Sequence, residues 1–147
     1  MARKPHLRQG SAQHYTFALE LYLSTVRPYT EELMVWDELR QRDSFAAQWK
    51  PDEVQIVAVD GKDIGWLQVS ETSTEMRLQQ FFISPDHQRR GIGTEVLNSL
   101  VAIWKATGKP VVLTVLKNNP ARRLYERFGF SVVGEAAGVK FEMKRCS

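Results

Sequence analysis

The chain has 147 residues, of which 43% are hydrophobic and 25% charged, and its formal net charge is +3. A chain of this length buries enough apolar surface to fold without disulfides or a structural metal, so we expect one domain over residues 1–147. The composition excludes an intrinsically disordered protein. We expect neither a membrane span nor a signal peptide, because no apolar run has the length or flanking pattern of either.

Cysteine and histidine usage argues against a metal centre. Cys146 is the only cysteine, which excludes an intrachain disulfide and a cysteine-based zinc site. The three histidines, His6, His14 and His87, have no metal-ligand spacing. The sequence therefore predicts no metal, and the cysteine content fits a cytoplasmic location.

The first third of the chain reads as one short strand and two helices. Lys4–Gln9 is a candidate strand, and Ser11–Ser24 repeats apolar residues at helical spacing. A break is expected at Arg27-Pro28, after which Thr30 caps a second helix that ends by Pro51. We expect that helix to turn these residues to the core: Leu33, Trp36, Leu39 or Arg40, and Phe45.

The middle of the chain has the period of two that is typical of strands. Val54–Val59 and Ile64–Ser70 flank Asp60-Gly61, a dipeptide that favours a tight hairpin turn. Glu75–Ile83 is predicted as a third antiparallel strand, which completes a meander.

The last third alternates helices and strands. Ile92–Thr107 has one apolar helical face, and Val111–Leu116 is an apolar, β-branched run typical of a buried strand. A short helix follows from Pro120 to about Phe128. Two final strands are expected at Phe130–Gly134 and Val139–Lys144. The predicted order is β-α-α-β-β-β-α-β-α-β-β.

The turn between the third meander strand and the long helix is the most informative segment. It contains Gly91 and Gly93, preceded by Arg89 and Arg90. Glycines at a helix start let an anion approach several backbone N–H groups, and the helix dipole favours negative charge there. A solvated turn with incidental glycines is the alternative interpretation.

Two common nucleotide motifs do not fit this turn. A P-loop requires Lys-Ser/Thr directly after its last glycine, whereas Thr94-Glu95 follow Gly93. A dinucleotide-binding fingerprint requires a third glycine and an acidic residue about 20 positions on, and neither is present.

Two segments together resemble the GNAT (Gcn5-related N-acetyltransferase) superfamily. The first is Gln88-x-x-Gly91-x-Gly93, which is similar to the family's acyl-CoA pyrophosphate loop. The second runs from Asn118-Asn119 through Ala121 and Leu124-Tyr125 to Gly129-Phe130. The resemblance implies an α/β (α+β) fold with a mixed, mostly antiparallel sheet of about six or seven strands flanked by about four helices.

The resemblance also implies acetyl-CoA as the acyl donor and a set of cofactor-binding residues. Pantetheine would enter between the strand ending at Ile83 and the strand Val111–Leu116, as an added strand does. The implied cofactor contacts are Phe81, Phe82, Ile83, Gln88, Arg89, Arg90, Gly91, Ile92, Gly93, Thr94, Asn118 or Asn119, Ala121 and Tyr125.

The implied reaction is direct attack of an amine on the thioester, with Tyr125 protonating the departing thiolate. The alternative for Tyr125 is a core aromatic residue. The resemblance supplies no base, because Gln79, Gln80 and Leu113 stand where many relatives carry a glutamate. Gln80 can orient the amine or a water. Candidates for the base are a water chain or one of Glu31, Glu32, Asp37, Glu38 and Glu75.

The sequence thus predicts an N-acetyltransferase for a small-molecule or peptide amine, and the alternative is a non-catalytic acyl-CoA-binding regulatory domain. The resemblance also allows a homodimer. Residues 86–127 carry a net charge of +5 and residues 28–75 a net charge of −7, which suits a polyanionic cofactor and a cationic acceptor, or reflects chance.

Other partners are disfavoured. Nucleic-acid binding through Arg89, Arg90, Arg122 and Arg123 lacks interleaved aromatic residues, and no membrane partner is indicated. Four aromatic residues of the first half are candidates for an acceptor pocket or for the core: Tyr29, Trp36, Trp49 and Trp66.

Overall fold

A computed structural model describes residues 4–146 of the chain. Its strands and helices follow one another in the predicted order. The strands are β1 His6–Gln9, β2 Val54–Val59, β3 Lys62–Glu71, β4 Met76–Ile83, β5 Val111–Leu116, β6 Ser131–Ala136 and β7 Lys140–Arg145. The helices are α1 Tyr15–Leu33, α2 Glu38–Gln48, α3 Ile92–Thr107 and α4 Ala121–Arg127. Short 3-10 turns lie at Ala12–His14, Pro51–Glu53 and Pro85–His87.

The strands form a seven-stranded sheet with the spatial order β1-β2-β3-β4-β5-β7-β6. Every neighbouring pair is antiparallel except β4 and β5, which are parallel. The predicted mixed, mostly antiparallel sheet with four helices is confirmed. The β2–β3 hairpin turns at Asp60 (φ 52°) and Gly61 (φ 78°), both in the left-handed region that a tight hairpin turn requires.

The sheet separates two hydrophobic cores. The core on the α3 and α4 side includes Leu97, Trp104, Val111, Tyr125 and Met143. The core on the α1 and α2 side, which we call the second core, contains Ala18, Leu19, Leu21, Leu23, Phe45, Val54, Ile56 and Trp66. Consecutive strand residues face opposite sides, so β2 and β3 contribute side chains to both cores.

The predicted break at Arg27-Pro28 is wrong, because α1 continues through Pro28 to Leu33. Pro28 itself is exposed, whereas Leu23 before it and Thr30 after it are buried. Thr30 therefore caps no helix; its hydroxyl donates to the Val26 carbonyl at 2.9 Å. Burial on both sides of the proline holds the helix together despite the lost backbone hydrogen bond.

The second helix begins later than predicted, at Glu38. Asp37 is its N-cap, and its carboxylate accepts from the Arg40 N–H at 3.1 Å. Of the predicted core residues only Phe45 is buried; Leu33 and Leu39 are exposed, and Arg40 is exposed as well. Trp36 lies in the connection between α1 and α2 and is half-buried against the second core.

Candidate functional site

The parallel strands β4 and β5 diverge shortly after they begin. They pair at only two positions, Met76 with Val111 and Arg77 with Val112. On their outer sides β4 stays paired with β3 as far as Ile83, and β5 stays paired with β7 along its whole length. Beyond Arg77 the facing edges of β4 and β5 therefore make no ladder with each other. We call this opening the β4–β5 gap.

A β-bulge lies in β4 where the gap opens. Gln80 pairs with Gln68 and Leu78 pairs with Val69, so Gln79 is an extra residue on β4. A bulge bends the strand and turns backbone groups away from their regular direction. The sequence carried no signal for it, because a bulge is a property of the pairing between two strands.

The end of β4 leads into the glycine turn before α3. Gly91 is the N-cap of α3 with φ 77°, a conformation that favours glycine, and an added Cβ there would meet no atom within 4 Å. The first N–H groups of α3 have no intrahelical acceptor. Arg89 and Arg90 are exposed and form no ion pair within residues 4–146. This arrangement suits an anion.

The remaining loop residues have structural contacts. The Gln88 side-chain amide donates to the Ile83 carbonyl at 2.9 Å, which folds the loop back on the end of β4. Ile92 is buried in the core, and Thr94 is half-buried in the first turn of α3. An added Cβ at Gly93 would lie 3.4 Å from the Leu124 side chain, so α4 packs closely against the start of α3.

The two adjacent asparagines have different partners. The Asn119 side-chain oxygen accepts from the Ala121 N–H at 2.9 Å and orders the start of α4. The Asn118 amide instead reaches α1, where it donates to the Tyr29 carbonyl and to Glu32 Oε2, each at 3.0 Å. The sequence left these two residues as alternatives, and the structure separates them by their contacts.

Tyr125 is buried on the α3 and α4 side of the sheet, with its ring centroid 5.8 Å from that of Phe130. Burial raises the pKa of its hydroxyl, which keeps the group protonated at neutral pH. The position is compatible with both sequence interpretations, a packed core aromatic and a proton donor.

The end of β4 presents side chains to both faces of the sheet. Phe81 and Ile83 pack on the α3 and α4 side, whereas Phe82 lies on the opposite side. The ring of Phe82 contacts Trp66 and Tyr22, with centroid distances of 5.6 and 5.8 Å. The β4 strand therefore contacts helix α1 at Tyr22.

Gln80 lies opposite a buried polar residue that the sequence analysis missed. Gln68 is 3% exposed, and its amide donates to Glu53 Oε1 and to the Gln48 carbonyl, each at 2.9 Å. These bonds tie the end of α2 to the sheet. A polar side chain inside the otherwise apolar run Trp66–Val69 was the available signal.

Most of the aromatic candidates belong to the second core. Trp66 is fully buried, and its ring contacts Trp49 and Phe45 at centroid distances of 5.8 Å. Tyr29 is half-buried near the end of α1, where its carbonyl binds Asn118. Trp66 has no exposed surface, so it cannot line an acceptor pocket.

Several candidate carboxylates are already engaged. Glu31 pairs with Arg27 at 2.9 Å, and Glu38 pairs with both Arg27 and Arg42. Hydrogen bonds from Trp36 and Arg42 lower the pKa of Glu38. Asp37 caps α2, and Glu75 lies before β4 with Arg77 4.0 Å away. Glu32 contacts Asn118 instead of a cation.

None of the helices within residues 4–146 combines the length and hydrophobicity needed to cross a bilayer. In the same residues, no three His, Cys, Asp or Glu side chains are grouped as metal ligands. The cytoplasmic location and the homodimer stay predictions.

Comparison with known proteins identifies relatives of this fold. The chain is 29% identical over 129 residues to an uncharacterized N-acetyltransferase of Methanocaldococcus jannaschii, a match that covers 76% of this chain and 54% of that protein. It is 38% identical over 63 residues to a spermine/spermidine N(1)-acetyltransferase of Bacillus subtilis, which covers 40% of each chain. The chain thus spans only about half, or less, of the length of these relatives.

Solved structures and a family model agree with these matches. The crystal structure of the PaiA N-acetyltransferase from Thermoplasma acidophilum in complex with coenzyme A superposes with a TM-score of 0.78 at 16% identity, over 98% of this chain and 99% of that one. At this identity the likeness concerns the fold. Residues 51–132 match the family model of the acetyltransferase (GNAT) domain. The chain belongs to the GNAT acetyltransferase family.

Proposed function

We propose that this chain is an acetyl-CoA-dependent N-acetyltransferase that acts on a primary amine of a small molecule or peptide, with one such domain over residues 1–147. The observation that carries the proposal is the β4–β5 gap, which opens after two paired positions and ends beside the glycine turn of α3. Unpaired strand edges offer N–H and C=O groups to the pantetheine amides, and the start of α3 offers N–H groups to the pyrophosphate.

The chemistry follows from what lies on each side of the gap. An N–H group at the β4 bulge near Phe81 is the proposed donor to the thioester carbonyl, where negative charge develops during attack. Tyr125 is the proposed acid for the departing thiolate, and Gln80 the proposed group that orients the amine. An amine acceptor also agrees with the relative from Bacillus subtilis, which is a spermine/spermidine N(1)-acetyltransferase.

The test combines an acceptor screen with a variant of the glycine turn. Thiol release from acetyl-CoA is measured across a panel of amines, and CoA binding is measured by calorimetry. We expect Gly91→Glu to abolish both, because a charged side chain would occupy the space proposed for the pyrophosphate. Wild-type CoA affinity in that variant would contradict the proposed site.

The matched control is Gly61→Glu in the β2–β3 turn. Gly61 has φ 78° and open space around its Cβ position, so the substitution imposes the same backbone strain at a different place. It should retain CoA binding. CoA binding by the wild type without thiol release on any amine would favour the non-catalytic, acyl-CoA-binding alternative.

A further inference from the structure

Helix α1 touches both sides of the β4–β5 gap. It contacts β4 where Tyr22 meets Phe82, with ring centroids 5.8 Å apart. Its last turns, seven to ten residues after Tyr22, meet the segment after β5, because the Asn118 amide donates to the Tyr29 carbonyl and to Glu32. The end of α1 therefore lies over the mouth of the gap. Tyr125 lies in the core on the other side of the sheet.

Glu32 differs from the other acids of this region by its contact. It is exposed, and its Oε2 accepts from Asn118 Nδ2 at 3.0 Å. No other hydrogen bond and no ion pair of Glu32 occurs in the described part of the chain. Of the five carboxylates that the sequence left open as bases, Glu32 alone contacts Asn118, at the start of the second motif.

A second observation points to a missing donor at the same place. The side-chain oxygen of Asn118 is buried and has no hydrogen-bond partner within residues 4–146. A buried acceptor that stays unpaired is unfavourable, because it has lost its hydrogen bonds to water. The nitrogen of the Asn118 amide contacts Glu32, and the oxygen of the same amide lies only a few ångströms from that nitrogen. The Asn118 oxygen and the Glu32 carboxylate are therefore neighbouring acceptors. An ammonium group, which has three donors and no acceptor, complements them.

On the basis of the proposed acetyl transfer, we propose that Glu32, positioned by Asn118, binds the ammonium group of the acceptor at the mouth of the β4–β5 gap and accepts its proton. The ammonium transfers one proton to Glu32 and becomes a nucleophile. Its lone pair forms the C–N bond, and the C–S bond breaks. Tyr125 protonates the thiolate, and the second nitrogen proton restores Tyr125 through solvent. The products are an amide, a thiol and one proton, which Glu32 releases.

The arrangement separates the two proton transfers across the sheet. Glu32 lies on the α1 side, whereas Tyr125 lies on the α3 and α4 side. An amine that arrives from the first side and a thiolate protonated from the second do not compete for the same space. This geometry explains how the chain can act without a carboxylate on β4.

Several charged groups on α1, α2, α4 and the segment after β5 have ionic partners, whereas Arg40, Asp43, Arg123 and Arg127 form no ion pair within the described residues. On α1, Arg27 pairs with Glu31 and Glu38. On α2 and its cap, Glu38 pairs with Arg42, and Asp37 accepts from a backbone N–H. After β5, Lys117 pairs with Glu135 at 2.9 Å, and on α4 Arg122 pairs with Glu126. The Tyr29 phenol is the remaining titratable group at the end of α1.

The test is Glu32→Gln in the full chain, assayed by thiol release with an amine from the panel between pH 6.5 and 9.5. The glutamine retains an acceptor for the Asn118 amide but takes up no proton. We expect kcat/KM for the amine to fall about 100-fold at pH 7, as is typical for loss of a general base. The deficit should shrink as pH approaches the amine's pKa of about 10, since solution then supplies the neutral amine. KM for acetyl-CoA should stay unchanged.

Glu20→Gln is the matched control, because Glu20 is an exposed carboxylate on the same helix. It should match the wild type at every pH. A Glu32→Gln deficit that is absent, or that stays constant with pH, would overturn the proposal. Failure of the proposed function has a different signature, which is a wild-type chain that binds CoA and releases no thiol with any amine.

Discussion

Two regions of the molecule differ in how they are built. The glycine-loop half, residues 76–127, holds β4, α3, β5 and α4, and its elements begin and end close to the predicted residues. The two-helix half, residues 15–48, holds α1 and α2, and its predicted boundary is wrong. The first half is delimited by backbone conformation, whereas the second depends on which side chains are buried.

The boundaries of α3 show why local signals suffice in the glycine-loop half. Gly91 precedes the helix with φ 77°, and Gly108 follows it with φ 70°. Both conformations favour glycine, so the sequence marks both ends of the helix. In the two-helix half, Pro28 is an equally strong local signal, but burial of the flanking turns overrides it.

The two halves also differ in how their charges are used. In the glycine-loop half, Arg89 and Arg90 form no ion pair in the described residues. In the two-helix half, Glu31 and Glu38 are paired with arginines. The local field around the two helices is therefore weaker than the formal −7 of residues 28–75 indicates. Among the acids of this region that form no ion pair in the described residues, Glu32 is distinguished by its contact with Asn118.

The largest expected effect tests whether aromatic packing holds the two-helix half to the sheet. Trp66→Ala should lower the free energy of unfolding by about 3–5 kcal/mol, because it leaves a cavity among Phe45, Trp49 and Phe82. Denaturant unfolding followed by far-UV circular dichroism measures it. Trp49→Ala is the control, since Trp49 is only half-buried and should cost less. Equal costs would contradict a packing centre at Trp66.

The next effect concerns Tyr125 in the glycine-loop half. Tyr125→Phe removes the proposed proton donor and keeps the ring, so turnover should fall about 100-fold, equivalent to about 2.7 kcal/mol in the barrier. Thiol release at saturating substrates measures it. Unchanged turnover would make Tyr125 a packing residue.

The same variant has a pH signature in stability. Burial raises the pKa of the Tyr125 hydroxyl, so the folded chain keeps a proton that the unfolded chain releases near pH 10. The contribution of protonated Tyr125 to the free energy of unfolding is thus complete below about pH 10, and it is lost as pH rises further. Unfolding at pH 8 and pH 10.5 should show a smaller alkaline loss for Tyr125→Phe than for the wild type.

The smallest expected effect concerns Pro28, where the sequence predicted a break but α1 is continuous. Pro28→Ala should raise the free energy of unfolding by about 1–2 kcal/mol, because a helix-interior proline costs about 3 kcal/mol and its rigidity in the unfolded chain returns about 1. Thermal unfolding measures the change. Pro51→Ala is the control, since Pro51 starts a 3-10 turn where proline is favourable. A destabilised Pro28→Ala would mean that α1 requires the proline.

Prediction from the sequence succeeded for features encoded in consecutive residues. The periodic faces of Ile92–Thr107 and Val111–Leu116 predicted an amphipathic helix and a buried strand with the observed bounds. The site was predicted as two motifs, and their proximity is visible where Leu124 packs against Gly93. The contact of Gln68 with Glu53 and that of Asn118 with Glu32 were not predictable, because each joins residues that lie apart in the chain.

The sequence by itself determined the order of the elements, the glycine turn and the family resemblance, because periodicity and left-handed backbone positions are local properties of a chain. Only the tertiary structure decided the length of α1, the β4 bulge and the partners of the acids. Those features arise from burial and pairing between distant segments, and their free energy exceeds the local preference that a single proline expresses.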